Sequence, residues 1–153
     1  AILIGETIGH LGQSALLAEV FNRVEGDAPP VDLEAEKKHG EFIRANCAWI
    51  TACSDLSDGG LALAAFEMAE AANIGVSLDA EGTAELFGED QARYLVACNF
   101  DQAEALLAAA GNLGIPATCV GRFGGMQVSF GAQVAELSEL SSIFRNSFAE
   151  TVT

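Results

Sequence analysis

The sequence predicts an α+β domain in which helices pack on a mixed or antiparallel sheet. Short segments with strand-type patterns alternate along the chain with helical stripes of apolar residues. Some connections between predicted strands, such as residues 120–126, are too short for the crossover that a parallel pair requires. The chain has 153 residues, half of them hydrophobic, which suffices for one core but not for two ordinary domains. Residues 1–153 are therefore expected to form a single domain.

Six segments predict strands because they are short, apolar or alternating in polarity, and bounded by turn residues. They are residues 2–4, 50–54, 75–78, 93–98, 117–120 and 126–130. Residues 81–91 are expected to form a loop, and residues 122–125 the turn before the last strand.

Helical periodicity begins at Leu16, and Asp32 is a suitable N-cap for the next helix, whose apolar face includes a partly buried His39. Residues 61–72 are apolar almost all round, which predicts a helix buried on several sides.

Two further helices are expected towards the end of the chain. Asn99 and Gln102 resemble a capping box before a helical stripe that ends at Leu113. Residues 134–148 predict the last helix, with Phe148 among its inward residues.

The charge balance excludes several classes of partner. The formal net charge is -15, from 22 acidic and 7 basic residues. Such a surface repels phosphate backbones and anionic lipid, so neither nucleic acid nor a membrane is an expected partner. A nucleotide remains compatible with it, because Mg²⁺ can bridge carboxylates to phosphates.

The sequence has no apolar run long enough to span a membrane and no secretory signal. Its start without Met predicts a piece of a longer chain.

The cysteines predict free thiols rather than a zinc site or disulfides. Cys47, Cys53, Cys98 and Cys119 form no C-x-x-C pair and have apolar neighbours in sequence. We expect buried, reduced thiols in a reducing compartment.

Residues 55–60 are the most informative segment for chemistry. Asp55 follows a predicted strand, Ser57 comes two residues later, and two glycines precede a buried helix. The carboxylate can bind Mg²⁺, and the hydroxyl with free amides at a helix N-terminus can donate to phosphate oxygens. The alternative is that Ser57 or Asp58 merely caps the helix.

Two other segments are weaker candidates. Residues 87–91 place Glu89, Asp90 and Gln91 before a strand, where they form either a polar turn or a set of acceptors facing a shared cleft. Residues 5–12 contain three glycines, which predict a flexible loop near a ligand or ordinary turns. They lack the phosphate-loop and dinucleotide-binding patterns, and the sequence shows no Ser-His-Asp or Cys-His arrangement.

Several segments together are similar to one enzyme family. They are Gly5-Glu6-Thr7, Leu11-Gly12-Gln13-Ser14, Ala28-Pro29-Pro30-Val31-Asp32-Leu33, Asp55-Leu56-Ser57-Asp58-Gly59-Gly60-Leu61-Ala62, Phe66-Glu67-Met68-Ala69 and Leu86-Phe87-Gly88-Glu89-Asp90-Gln91-Ala92-Arg93-Tyr94. The whole chain resembles the C-terminal domain of the second half of phosphoribosylformylglycinamidine synthases. The Asp-Leu-Ser-x-Gly pattern is shared with a superfamily that includes aminoimidazole ribonucleotide synthase, selenophosphate synthetase and thiamine-monophosphate kinase. The Pro-Pro-Val-Asp-Leu and Phe-Gly-Glu-Asp-Gln segments favour the ligase.

The resemblance implies an ATP- and Mg²⁺-dependent ligase of cytoplasmic purine biosynthesis. It joins ammonia to formylglycinamide ribonucleotide, and a glutaminase subunit or domain supplies the ammonia. The implied partners are that glutaminase, the nucleotide substrate and the remainder of the synthetase chain. Without that remainder, the isolated domain is expected to be inactive. The alternatives are another reaction of the superfamily, or a non-catalytic binding module with the same fold.

The resemblance also implies roles for particular residues. In the large form of the enzyme, the second half holds an auxiliary nucleotide (ATP or ADP) that does not turn over. Asp55 matches its Mg²⁺ ligand, and Ser57 matches a nucleotide contact. Glu89 and Gln91 match residues of the first half that contact substrate, although Asp90 replaces the serine found between them there.

Overall fold

The computed structural model describes the backbone of residues 1–151 and the side chains of residues 1–147. The first of its two four-stranded sheets is antiparallel throughout, with β1 at its centre. Its strands are β1 (Ile2–Ile4), β2 (Ile50–Asp55), β4 (Tyr94–Cys98) and β5 (Ala117–Cys119), in the order β2-β4-β1-β5.

The second sheet is mixed, because β3 and β7 pair in parallel while its other pairs are antiparallel. Its strands are β3 (Val76–Leu78), β6 (Gly121–Phe123), β7 (Gln127–Phe130) and β8 (Gln133–Glu136), in the order β6-β3-β7-β8. The predicted α+β class is thus confirmed, with the strands divided between two sheets.

Helices cover both faces of the first sheet. The α-helices are α1 (Leu33–Ala45), α2 (Gly60–Ala72), α3 (Thr83–Phe87), α4 (Phe100–Asn112) and α5 (Leu137–Thr151), of which α1 and α4 cover one face and α2 the other. Side chains alternate along β1: Ile2 and Ile4 pack with residues of α1 and α4, whereas Leu3 packs with α2 and the second sheet. The α2 helix therefore lies at the centre of one core, and seven of its residues are buried. The prediction of a helix buried on several sides is confirmed.

Some local predictions hold and others need correction. The Asp32 side chain caps α1 by accepting bonds from Glu34 and Ala35 N–H. Asn99, in contrast, makes no side-chain cap on α4, so the predicted capping box is wrong. The stripe at Leu16 forms only one π-helical turn, Leu16–Val20, with no buried residue.

Pairing between distant strands overrides two other predictions. The first part of the predicted helix 134–148 is strand β8, which pairs with β7, and α5 begins only at Leu137. The predicted turn 122–125 likewise contributes to β6, which pairs with β3. The side chain of Phe148 lies outside the described residues.

The prediction that the cysteines are buried is wrong, whereas the prediction of free thiols is confirmed for all four. Cys47, Cys53 and Cys119 are exposed and Cys98 is half-buried, because they lie on edge strands, at a strand end or in a turn. Among the described residues, no helix is both long and apolar enough to cross a membrane.

Candidate functional site

The loop at residues 55–60 leaves the edge of the first sheet and enters the buried helix α2. Asp55 is the last residue of β2, opposite Tyr94 on β4, and the Leu56 amide donates to the Arg93 carbonyl at 3.0 Å. Leu56 is buried, whereas Asp55 and Ser57 are exposed. The strand pairing thus fixes the start of the loop and leaves its carboxylate and hydroxyl facing solvent.

No side chain of the loop caps α2. The N-cap position is Gly59, in the left-handed region at a φ of 77°, with no capping side chain. Capping by Ser57 or Asp58, the alternative interpretation of this segment, is therefore absent. The side chains of Asp55 and Ser57 make no hydrogen bond within the part of the chain that the structure describes, so their oxygens remain available to a ligand.

The loop packs directly on the segment 87–91. A Cβ added to Gly60 would lie 2.5 Å from the Gly88 carbonyl oxygen, closer than a side chain can approach. Gly60 also has a positive φ of 60°, which glycine adopts without strain. The second glycine of the motif is thus required where two backbone segments meet.

Glu89 is buried between the 55–60 loop and the residue before the π-helical turn. One of its oxygens, Oε1, accepts a hydrogen bond from the Gly59 amide at 2.9 Å and another from the Ala15 amide at 2.8 Å. Its exposed fraction is 8 %. The carboxylate therefore joins two segments that lie far apart in sequence.

Asp90 makes an equivalent connection to the glycine-containing loop 5–12. Its Oδ2 accepts from the amides of Ile8 and Gly9, at 3.1 and 2.9 Å, and its Oδ1 accepts from the His10 amide at 3.0 Å. A carboxylate bound by three backbone amides is well satisfied in a buried position. Asp90 thus fixes the conformation of the loop.

Arg93 completes this polar cluster beneath the loops. Its side chain is fully buried and donates to the Asp90 carbonyl, to Thr7 Oγ1 and, through a short bond, to the Gly88 carbonyl. Burial lowers the pKa of Arg93, and the nearby charge of Asp90 opposes this shift. The guanidinium group connects loop 5–12 with segment 87–91 from below.

Gln91 is exposed, and its side-chain amide donates to the backbone carbonyl of Glu89 at 3.5 Å. It lines a cleft of about 550 Å³ beside α1, together with His39 and Lys38, whereas Glu89 does not line that cleft. The two residues predicted to contact substrate therefore do not share one cleft.

A pair of residues that the sequence analysis did not identify lies next to Asp55. The Tyr94 hydroxyl donates to Glu36 Oε2 at 2.9 Å, and Glu36 Oε1 accepts from the Ala92 amide at 2.8 Å. Burial, then the hydrogen bond to Glu36 and the charges of Glu36 and Asp55, raise the pKa of Tyr94 to about 12. Only the register of β2 and β4 reveals this neighbourhood, and nothing in the local sequence signals it.

No complete metal site is formed by the described residues alone. They contain no group of three or more His, Cys, Asp or Glu residues arranged to hold a metal ion. Mg²⁺ is commonly held by one or two carboxylates together with phosphate oxygens and water. An exposed Asp55 with Ser57 nearby fits that requirement, provided that a nucleotide supplies further oxygens.

Residues 1–130 match the family described as AIR synthase related protein, C-terminal domain. The chain belongs to this family. The family match covers both sheets except for β8, and it includes all three segments that meet at the polar cluster.

Curated relatives are similar to nearly the whole chain. The subunits PurL of phosphoribosylformylglycinamidine synthase from Roseobacter denitrificans and Ruegeria sp. are 68% and 69% identical to it, covering 97% and 99% of this chain. The chain spans only about a fifth of the length of these relatives, 21% in each case.

Solved structures with the same fold include Thermotoga maritima PurL complexed with FGAR and complexed with ATP. Their TM-scores are 0.74 and 0.69 at 18% identity, and both cover 92% of this chain. The match covers 27% and 25% of those chains.

Proposed function

We propose that this chain is the C-terminal domain of the second half of a phosphoribosylformylglycinamidine synthase. The observation that carries the proposal is the 69% identity to the Ruegeria subunit PurL over 151 residues. The reaction joins ammonia to formylglycinamide ribonucleotide, with ATP activating the amide oxygen. The polar cluster beneath the three loops supports a role for this domain at a ligand site.

The domain contributes a Mg²⁺–nucleotide contact rather than a complete active centre. Asp55 would bind Mg²⁺, and Ser57 would donate to a phosphate oxygen of ATP or ADP. The exposure of both residues and the absence of capping support these roles. Gln91, exposed at the edge of a cleft, would be a contact to the ribonucleotide substrate, and Glu89 is assigned with it by the family resemblance.

The remaining ligands and partners lie outside this chain. The other domains of the synthetase would complete the nucleotide site, and a glutaminase subunit or domain would supply ammonia. Such an assembly belongs to purine biosynthesis in the cytoplasm.

The test uses the complete synthetase subunit with ammonia as the nitrogen source. We expect ATP-dependent conversion of formylglycinamide ribonucleotide to the amidine, measured by product chromatography and phosphate release. The 153-residue chain alone, as a control, should produce neither. Turnover of thiamine monophosphate or selenide in place of the amide would instead assign the subunit to another reaction of the superfamily.

A further inference from the structure

We propose that Glu89 is a positioning residue that holds the 55–60 loop in its ligand-binding conformation, instead of contacting substrate. This inference rests on the proposed Mg²⁺–nucleotide role of Asp55 and Ser57. It reassigns Glu89 from the substrate to the support of that site.

The two bonds of Glu89 come from distant parts of the chain. Gly59 lies 30 residues before Glu89 and Ala15 lies 74 residues before it, yet both amides reach the same oxygen, Oε1, within 2.9 Å. An acceptor shared in this way requires both backbone segments to approach one point. The carboxylate thus acts as a clamp between the start of α2 and the residue before the π-helical turn.

Gly59 depends on this acceptor. It occupies the N-cap position of α2, where no side chain of the loop accepts a bond from the helix amides. An amide that loses its only partner in a partly buried place carries a desolvation penalty. Glu89 therefore accepts the N-cap amide of α2 from a distant segment, a bond that the N3 side chain of a capping box makes locally in other helices.

The clamp acts on the residues proposed to bind ligand. Pairing of Asp55 with Tyr94, and the bond from the Leu56 amide to the Arg93 carbonyl, fix the start of the loop. At the other end, the Glu89–Gly59 bond is the side-chain contact that fixes it. Ser57 lies between these two points, so its position relative to Asp55 depends on both.

The placement of Glu89 favours support of the loop over contact with a substrate in the cleft of Gln91. The residue is 8 % exposed and does not line the cleft in which Gln91 lies. Its hydrogen bonds use lone pairs that an amide oxygen also provides, so glutamine can replace it in the clamp. A carboxylate that contacts substrate or metal through its charge has no such neutral replacement.

The experiment measures the dissociation constant of Mg–ADP for the complete subunit. The relevant binding step is identified as the one that Asp55→Asn weakens. Glu89→Ala should weaken that step about tenfold, since two charge-assisted bonds are lost. Glu89→Gln should stay within about threefold of the unmodified protein, because its oxygen can accept both amides. Glu89→Asp keeps the charge but shortens the side chain, so it should weaken binding more than Glu89→Gln does.

Asp32→Ala is the matched control. Asp32 also accepts two backbone amides through one oxygen, those of Glu34 and Ala35, but it caps α1 and does not contact the 55–60 loop. This change should lower the melting temperature and leave the dissociation constant unaltered. Loss of affinity in Asp32→Ala as large as in Glu89→Ala would show a general effect of instability and overturn the proposal.

A double variant separates positioning from direct contact. If Glu89 acts through the loop, Glu89→Ala should cost much less affinity in the Asp55→Asn background than alone, because the contact that it positions is already impaired. Equal costs in both backgrounds would overturn the proposal, as would better binding by Glu89→Asp than by Glu89→Gln. The last comparison decides the matter even if Glu89→Ala does not fold. Failure of the proposed function itself has a different signature: Asp55→Asn then leaves every Mg–ADP binding step unchanged.

Discussion

The guanidinium of Arg93 lies 3.8 Å from the Asp90 carboxylate, and both side chains are almost completely buried. Asp90 in turn holds the amides of residues 8–10, and Arg93 reaches Thr7 and the Gly88 carbonyl. Two opposite charges thus form the base on which two loops rest. Such a pair tolerates the loss of one partner poorly, because the other charge stays buried without compensation.

Replacing Arg93 with Met should destabilise the chain by about 3 kcal/mol or more, since it leaves Asp90 buried without its cation. Arg93→Lys should recover little of this, because a single ammonium group cannot reach the three acceptors that the guanidinium fork reaches. Denaturant unfolding followed by circular dichroism measures the difference. A loss of stability below about 1 kcal/mol for Arg93→Met, the usual range for an exposed ion pair, would show that the cluster is not the base of the loops.

The hydrogen bond between Tyr94 and Glu36 should give a pH dependence at high pH. The pKa of folded Tyr94 is raised to about 12, above its ordinary value of 10.0. The unfolded state therefore loses the phenol proton first, so the contribution of Tyr94 to stability is full below pH 10 and declines as the pH rises towards 12. Comparing unfolding of the unmodified chain and Tyr94→Phe from pH 8 to pH 12 isolates this effect. A stability difference that stays constant over that interval would refute the assigned pKa.

The four free thiols should differ in their rates of alkylation at neutral pH. Cys47 and Cys53 are both exposed and Cys98 is half-buried, but partial desolvation of the sulfur raises the pKa of Cys98 and, with the charge of Asp55, that of Cys53. Since the thiolate is the reactive form, Cys47 should be labelled before Cys53 and Cys98. Peptide mass spectrometry after brief exposure to iodoacetamide gives the order. Labelling of Cys53 or Cys98 ahead of Cys47 would contradict it.

Local patterns predicted the elements whose own residues decide their structure. The apolar surface of α2 and the Asp32 cap belong to this class, because a helix and its cap are formed by neighbours in sequence. The division into two sheets could not be predicted in the same way. Strand β3 pairs with β6 and β7, more than 40 residues later. Residues 134–136, at the start of the predicted last helix, instead pair with β7.

The same distinction applies to the candidate site. Segments 55–60 and 87–91 could be found from the sequence, because carboxylates next to glycines and predicted strand ends form a pattern of neighbouring residues. The inward position of Glu89 and Asp90 was not predictable from them. Their hydrogen-bond donors lie 30 to 82 residues away along the chain, and only the folded structure brings those amides to the two carboxylates.

Replacement of Asp55 with Asn in the complete subunit tests the Mg²⁺–nucleotide assignment most directly. The change removes one formal charge from the proposed ion site and nearly preserves the shape of the side chain. Asp58→Asn is the matched control, because it removes the same charge from another exposed position of the loop.

The nucleotide retained after purification and the rise in melting temperature with Mg–ADP are measured for both variants. A ligand that binds only the folded state stabilises it by mass action, so a tenfold loss of affinity removes about 1.4 kcal/mol of that stabilisation at saturating ligand. The account predicts less retained nucleotide and a smaller Mg²⁺-dependent shift for Asp55→Asn alone; equal retention and equal shifts in Asp55→Asn, Asp58→Asn and the unmodified subunit would contradict it.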